Sequence, residues 1–140
     1  MSTTHTLPSG AACPCGQQDA KQRVLGYPLC CGRFITAFDT TPAPTAEALM
    51  RSRYTAFVLQ DAGYLLATWH ASTRPAALDF EPVPKWLGLE VRAHQTRGVN
   101  TAEVEFVARY RVDGRAVRLH ERSRFVREDG RWYYVDGDLR

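Results

Sequence analysis

Two Asp-Gly turns constrain the fold of this chain more than any other feature, because they set how three strands pair. Asp113-Gly114 follows a stretch of alternating apolar and polar residues from Ala102 to Val112, which is typical of a strand with one buried face. Asp129-Gly130 marks the next hairpin. Asp-Gly is a strong signal for a two-residue hairpin, because both turn residues adopt positive φ. The segment 101–138 is therefore predicted to form three antiparallel strands whose cross-strand pairs can be counted.

Counting from the first turn predicts the pairing of the first two of these strands. Phe106 falls opposite Glu121 on the apolar face, and Glu105 falls opposite Arg122 on the other face. Opposite charges directly across a strand pair stabilise it. The turn and the charge pattern therefore support the same register.

Counting from the second turn predicts a polar group on the apolar face. Phe125 falls opposite Tyr134, and Ser123 falls opposite Asp136. Together with Glu121, this count places two carboxylates and a hydroxyl among aromatic side chains. Buried carboxylates cost several kcal/mol unless they are paired. This group is the first indication of a functional site.

The residues before these strands predict two helices and one more strand. Thr45 is a suitable N-cap for a helix that ends near residue 59, and a short helix follows at about 61–68. Arg53 lies in the apolar stripe of the first helix, so at least one ion pair between Arg53 and a sheet carboxylate is expected. A strand at 86–95, with apolar positions starting at Leu87, completes the sheet. The fold class is predicted to be α+β, with N-terminal helices packed on a curved antiparallel four-stranded sheet.

The cysteines point to a metal. All four lie in one short N-terminal stretch, at Cys13, Cys15, Cys30 and Cys31. Zn²⁺ takes tetrahedral Cys₄ sites, and so short a stretch needs a metal for much of its stability. Lys21, Arg23 and Arg33 could offset the negative charge of four thiolates. The residues alone leave two alternatives open, a redox-active pair at Cys30-Cys31 or plain free thiols.

Several strings resemble known families. Cys13-Pro14-Cys15-Gly16 and Cys30-Cys31-Gly32 resemble the SEC-C motif, a small zinc-binding module also found at the C-terminus of the SecA translocation ATPase. The loop between the cysteine pairs is longer than in the usual motif. The strings at 49–58, 64–70, 121–125 and 132–137 resemble the YchJ-like family. This resemblance implies a SEC-C motif joined to a fold like nuclear transport factor two, a cystatin-like arrangement.

The resemblance and the composition together predict the domain organisation. We expect a flexible tail at 1–12, a SEC-C-like zinc knuckle at 13–39, a Pro/Thr linker at 40–44 and a nuclear transport factor two-like α+β domain at 45–140. In SecA the SEC-C module is linked to contacts with a chaperone and the ribosome. The resemblance therefore implies a structural Zn²⁺ and a protein partner that binds through the knuckle.

A second hypothesis places an enzyme or a small-molecule binder in the sheet pocket of this fold. Glu121 or Asp136 would act as general base, and the remaining candidates would form the walls and mouth: Arg53, Tyr54, Trp69, His70, Ser123, Trp132 and Tyr134. The alternative is a structural network that holds helix against sheet. A neighbouring arginine favours that alternative, because it lowers a carboxylate pKa and makes a poor general base near neutral pH.

Composition excludes some classes. The net charge of +3 is mild and acidic residues are interspersed among the arginines, which argues against a surface that tracks nucleic-acid phosphates. No stretch approaches the ~20 apolar residues of a membrane span. The N-terminus has no apolar core of a secretory signal, so a cytoplasmic protein is expected. No Gly-rich phosphate loop and no Gly-x-Ser-x-Gly string is present.

Overall fold

The computed structural model describes residues 7–8 and 10–140. Most of the predicted tail at 1–12 lies outside the described residues. The elements in chain order are a 3₁₀ turn (Tyr27–Leu29), α1 (Gly32–Thr36), α2 (Ala46–Leu59), α3 (Ala62–Ala67), β1 (Lys85–Gly98), β2 (Thr101–Val112), β3 (Arg115–Glu128) and β4 (Arg131–Leu139). The four strands form one antiparallel sheet in the order β1-β2-β3-β4. The predicted α+β class is confirmed. Among the described residues, no helix has the length and apolar composition needed to span a bilayer.

Helix α2 begins at the predicted cap, Thr45, and α3 has a side-chain cap that was not predicted, at the approximate start expected for this helix. The side chain of Thr45 accepts a hydrogen bond of 3.0 Å from the backbone N–H of Ala48 at the start of α2. Gln60 ends this helix in the left-handed conformation, with φ of 57°. Asp61 caps α3 by accepting a hydrogen bond of 3.0 Å from the backbone N–H of Tyr64. Local sequence therefore determines where these helices start.

The predicted register of β2 and β3 is confirmed. Phe106 pairs with Glu121, and Glu105 pairs with Arg122. Asp113 has φ of 50° in the turn between the two strands. The positive φ that the Asp-Gly turn requires is the physical reason why the count from this turn is correct.

The predicted register of β3 and β4 is correct from the turn to Tyr134 and wrong beyond it. Phe125 pairs with Tyr134 as expected, but Arg124 pairs with Asp136, so Val135 is an extra residue in β4. Such a bulge reverses the face on which every later side chain lies. Asp136 therefore lies on the opposite face from Glu121, and its Oδ1 accepts a hydrogen bond of 2.6 Å from Arg124 Nε.

Strand β1 is also irregular near its start. Its pairing with β2 shifts between Trp86 and Gly88, so Trp86 rather than Leu87 packs against the core. Leu87 is 50% exposed. The apolar alternation predicted from Leu87 is therefore wrong at that residue and correct again at Leu89 and Val91, which pack on the core.

One hydrophobic core joins the N-terminal segment to the sheet. It contains the four cysteines and Phe34, residues of α2 such as Leu49, and sheet residues such as Val104 and Phe125. The boundaries proposed at residues 12, 39 and 44 stay a prediction. The packing shows that residues 13–39, here called the cysteine segment, lie directly on α2.

Candidate functional site

The four cysteine sulfurs form one compact cluster. Their Sγ atoms all lie within 4.8 Å of one another, and the Sγ atoms of Cys15 and Cys30 are 3.5 Å apart. A tetrahedral zinc with Zn–S bonds of about 2.3 Å places its sulfurs about 3.8 Å apart. All four residues are free cysteines and are no more than 3% exposed. The donor set therefore fits a single soft metal ion in a closed shell.

The long loop between the cysteine pairs folds back on itself and so brings the pairs together. Gln18 bridges Val24 in antiparallel fashion, and the backbone N–H of Cys13 donates to the carbonyl oxygen of Leu25 over 2.9 Å. Gly16 follows the first pair with φ of 74°, in the left-handed region that favours glycine. The extra residues of this loop therefore form a hairpin-like ladder that is compatible with a metal site.

The second cysteine pair sits between the 3₁₀ turn and α1. Gly32, directly after Cys31, lies against Tyr27, and a Cβ atom there would come within 2.7 Å of the Tyr27 carbonyl oxygen. Only glycine allows this approach without displacing the turn. The Gly that follows each cysteine pair therefore has a geometric reason in this structure.

The thiols influence one another's ionisation. Hydrogen bonds from Cys15, Cys30 and Cys31 lower the pKa of the Cys13 thiol. The pKa of Cys31 is raised, first by its interaction with Cys13 and also by burial. The pKa of Cys15 is also lowered, to about 7, whereas that of Cys30 is raised, so ionisation of the Cys30 and Cys31 thiols is opposed. A bound dication removes that opposition, because it stabilises all of its thiolate ligands.

Of the three basic residues expected near the cysteines, only Arg33 makes a hydrogen bond to a cysteine among the described residues. Arg23 forms an exposed ion pair of 3.6 Å with Asp19, and Lys21 is exposed. Arg33 lies closer, because its Nε donates a hydrogen bond of 3.0 Å to the carbonyl oxygen of Cys30. Arg33 is therefore the member of this set that supports the cysteine backbone.

The sequence did not indicate the part played by Arg51 of α2. Its Nη1 donates a hydrogen bond of 3.2 Å to the carbonyl oxygen of Cys15, and its Nε forms an ion pair of 3.0 Å with Glu47. On the same helix, Thr55 Oγ1 lies 3.7 Å from Cys13 Sγ. Only the i,i+4 spacing of Glu47 and Arg51 is visible in the sequence, and it does not say what the helix packs against.

A second feature is a cavity of about 460 Å³ between α2, the segment before β1 and the apolar face of the sheet. Six of the nine predicted pocket residues line it: Arg53, Tyr54, Trp69, Glu121, Ser123 and Tyr134. Nine aromatic residues contribute to its walls, including Phe57, Phe80, Trp86 and Tyr110. Phe57 belongs to the helix stripe, Phe80 to an irregular loop and Trp86 to the shifted start of β1, whereas Tyr110 lies on the apolar face of β2 and was not assigned to the pocket.

Three predicted pocket residues lie outside this lining. His70 Nε2 lies 2.7 Å from Glu128 Oε1 and its Nδ1 lies 2.6 Å from Ser72 Oγ. Trp132 packs under the guanidinium group of Arg127, 5.5 Å from the ring centre. Asp136 lies on the other face of the sheet because of the β4 bulge.

Arg53 is buried in the cavity wall without the predicted ion pair. It is 6% exposed, and no described carboxylate lies within 4.0 Å of its guanidinium group. Its Nη1 donates to the carbonyl oxygen of Leu65 over 2.8 Å and to Thr68 Oγ1 over 2.7 Å. Burial lowers the pKa of Arg53 to about 10. The expected Arg53–carboxylate pair is therefore wrong, and neutral acceptors replace it.

Glu121 is held in place by neutral donors. Its Oε1 accepts hydrogen bonds from Ser123 Oγ at 2.9 Å and Tyr134 Oη at 3.2 Å. Burial, and next the nearby Glu121 charge, raise the pKa of Tyr134, so its hydroxyl stays a donor. Glu121 Oε2 makes no hydrogen bond within the part of the chain that the structure describes. One carboxylate oxygen is thus anchored and the other is available.

Comparison with known proteins identifies the family. The family described as YchJ, middle NTF2-like domain, matches residues 45–137. The chain belongs to the YchJ-like family. Its YchJ-like relatives include a UPF0225 protein of Polaromonas sp. strain JS666, 63% identical over 94% of this chain and 95% of that protein. Another is a UPF0225 protein of Methylibium petroleiphilum, 58% identical over 91% of this chain and 88% of that protein.

Two solved structures resemble this YchJ-like chain. One is the solution structure of a SEC-C motif containing protein from Rhodopseudomonas palustris, with a TM-score of 0.77, 33% identity, and coverage of 91% of this chain and 98% of that one. The other is the crystal structure of a SEC-C motif containing protein from Psychrobacter arcticus, with a TM-score of 0.75, 31% identity, and coverage of 92% and 82%. The expected YchJ-like family and fold are confirmed.

Proposed function

We propose that this protein binds one Zn²⁺ ion through Cys13, Cys15, Cys30 and Cys31, and that the metal-bound segment binds a protein partner. The observation that supports the metal is the cluster of four buried sulfurs within 4.8 Å of one another. Soft thiolates at tetrahedral spacing are typical of zinc. Four cysteines complete the shell, so the ion is structural and activates no water. The SEC-C motif named for both similar structures supports the same assignment.

The metal assignment is tested by elemental mass spectrometry of the purified full chain. We expect one zinc per chain in the wild type and none in Cys30→Ser. Thr36→Ser is a matched control outside the cluster and should keep the metal. A wild-type protein that carries no metal and has four titratable thiols would overturn the assignment and favour the redox or free-thiol alternatives.

The partner-binding part of the proposal rests on exposed apolar residues of the cysteine segment. Leu29 in the 3₁₀ turn is 72% exposed, next to the buried Cys30. Val24, in the ladder that closes the loop, is also exposed. Exposed apolar side chains held on a rigid segment are suited to a protein interface.

Cross-linking of the tagged chain in cells, followed by mass spectrometry, tests this part. A specific partner should be lost in Leu29→Ser and in Cys30→Ser. It should remain in Val99→Ser, which changes a residue that is 82% exposed but lies in the β1–β2 turn. Equal recovery of the partner with all three variants would exclude the cysteine segment as the interface.

A second candidate function is small-molecule binding in the sheet cavity. Its volume of about 460 Å³ falls within the range of about 300–1,000 Å³ that is common for ligand sites. Asp136 lies on the other face, so the predicted pair of interior carboxylates is not available for acid–base chemistry. The geometry therefore favours binding over catalysis.

A neutral fluorescent dye, N-phenyl-1-naphthylamine, tests whether the cavity accepts an apolar ligand. We expect saturable binding to the wild type and none to Ala108→Leu, which fills the lining at a β2 position. Val107→Leu, on the opposite face of the same strand, is the matched control. Equal binding to wild type and Ala108→Leu would show that the dye does not occupy this cavity.

A further inference from the structure

We propose that the sheet cavity is selective for an organic ammonium ion with an apolar body, and that the ammonium group pairs with Glu121 Oε2. This proposal rests on the second proposed function, that the cavity binds a small molecule, and it names the chemical class of the ligand. It is argued from the anchoring of Glu121, the neutral hydrogen-bond partners of Arg53, the charges of the lining and the aromatic walls.

The first step is the way in which Glu121 is held. Ser123 and Tyr134 both donate to Oε1, which fixes the side chain without neutralising its charge. Gly137 of β4 lies beneath the carboxylate, and a Cβ atom there would overlap it. The site therefore keeps a charged acceptor whose second oxygen makes no hydrogen bond to a described residue.

The second step is that Arg53 makes no direct ion pair with this carboxylate. No described carboxylate lies within 4.0 Å of its guanidinium group. Its Nη1 donates hydrogen bonds to the Leu65 carbonyl oxygen and to Thr68 Oγ1. Its guanidinium carbon lies 5.0 Å from the Trp69 ring centre and 4.7 Å from that of Tyr134. Arg53 therefore contacts neutral acceptors and aromatic rings. Because it forms no ion pair with Glu121, this carboxylate can pair with a ligand cation.

The third step is the sum of the charges around the cavity. Three lining residues are acidic, Asp79, Glu81 and Glu121, and one is basic, Arg53. Asp79 and Glu81 are exposed residues of the segment before β1. A net negative lining attracts a cation and repels an anion. Water and salt screen the two exposed carboxylates, so the partly buried Glu121 contributes most to this preference.

The fourth step is the chemistry of the walls. Trp86 packs against Tyr54 with ring centres 5.4 Å apart and against Tyr110 with ring centres 5.0 Å apart. Phe57 packs against both Trp86 and Phe80. Such a cluster accepts the apolar body of a ligand, and aromatic faces also attract ammonium groups.

The experiment uses three probes of one shape, 4-phenylbutylamine, 4-phenylbutan-1-ol and 4-phenylbutyrate, titrated calorimetrically into the full-length protein at neutral pH. We expect the amine to bind at least tenfold more tightly than the alcohol, and the carboxylate to bind most weakly. In Glu121→Gln the preference of amine over alcohol should fall at least tenfold. In Glu90→Gln, an exposed residue of β1 outside the cavity, it should be unchanged.

The outcomes separate this inference from the function on which it rests. If the alcohol binds as tightly as the amine, the cavity is a binding site but the cation selectivity is overturned. If the carboxylate binds most tightly, Arg53 is the anchor and the inference is wrong. If neither the dye nor any of the three probes binds, the small-molecule function itself fails. The wild-type series gives these answers even if Glu121→Gln does not fold.

Discussion

At the scale of single residues, Gly137 controls the position of Glu121. It pairs with Ser123 across the sheet, and a Cβ atom at this position would lie 2.7 Å from Glu121 Cδ and overlap its Oε1. Its φ is not in the left-handed region, so the requirement is for space and not for backbone freedom. The glycine lets the carboxylate lie flat on the sheet, within reach of the Ser123 and Tyr134 hydroxyls.

We therefore expect Gly137→Ala to displace the Glu121 carboxylate and break its two hydrogen bonds. The free energy of unfolding should fall by roughly 1–3 kcal/mol, as measured by urea denaturation. Gly88→Ala is the control, because a Cβ atom there meets nothing within 4 Å. In a Glu121→Ala background the cost of Gly137→Ala should largely disappear. An equal cost in both backgrounds would show that Glu121 is not the group displaced.

Also at the residue scale, Glu105 predicts a pH dependence. Its hydrogen bond with His120 and next that with Arg122 lower the pKa of the carboxyl group below its ordinary value of 4.5. A lowered carboxyl pKa contributes stability that is complete above the unfolded pKa and is lost as the pH falls through the folded pKa. The difference in unfolding free energy between wild type and Glu105→Gln should therefore shrink on acidification.

Urea denaturation at several values between about pH 5.5 and pH 3 checks this expectation. Glu90→Gln is the control, because Glu90 pairs with Arg92 on an exposed part of β1, and its difference from wild type should vary less with pH. A wild-type-minus-Glu105→Gln difference that stays constant across the range would contradict the link between Glu105 ionisation and folding.

At the scale of elements, helix α2 connects the two candidate sites. Arg51 and Thr55 contact the cysteine segment, whereas Arg53, Tyr54 and Phe57 line the cavity. The two sets alternate along one helix, and one contacts the cysteine segment while the other lines the cavity. Fraying at the start of α2 should therefore affect both the cysteine segment and the cavity.

The N-cap of α2 provides a test at this scale. Thr45→Ala removes the acceptor of the Ala48 N–H and should lower the free energy of unfolding by about 1 kcal/mol. Thr45→Ser keeps a hydroxyl at the same place and should cost much less. Chemical denaturation compares the two variants. If Thr45→Ser costs as much as Thr45→Ala, the lost methyl group rather than the cap accounts for the change.

At the scale of the whole molecule, the cysteine segment and the sheet form one packed body. Arg131 of β4 donates a hydrogen bond of 2.8 Å to the carbonyl oxygen of Phe38, and its guanidinium carbon lies 4.1 Å from the Phe38 ring centre. Phe38 packs edge-on against Tyr64 of α3. These contacts and those of α2 tie the segment to the domain at both of its ends.

Removal of the proposed zinc should therefore destabilise the entire chain. All three tryptophans lie at or beyond Trp69 in the sequence, so their fluorescence reports on the sheet domain and not on the cysteine segment. With a chelator present, or in Cys30→Ser, the tryptophan unfolding transition should lose about 3 kcal/mol or more. Reactive thiols combined with an unchanged tryptophan transition would instead show that the segment unfolds on its own.

Local rules of sequence determined the helix caps, the Asp-Gly turns, the β2–β3 register and the grouping of the cysteines. Each depends on a few neighbouring residues, such as the positive φ of Asp113 or the side chain of Thr45. The resemblance to the YchJ-like family predicted the overall fold correctly. Four of the cavity-lining residues followed from strand and helix periodicity: Arg53, Glu121, Ser123 and Tyr134.

Only the tertiary structure decided the face of Asp136, the partners of Arg53 and the contact between Arg51 and Cys15. One extra residue in β4 moves Asp136 to the other face, because side chains alternate with a period of two and a shift of one reverses them. Arg53 and Arg51 reach acceptors 12 and 36 residues away in the chain. Periodicity predicts the face on which a side chain lies, but the packing of distant segments determines the group that it meets.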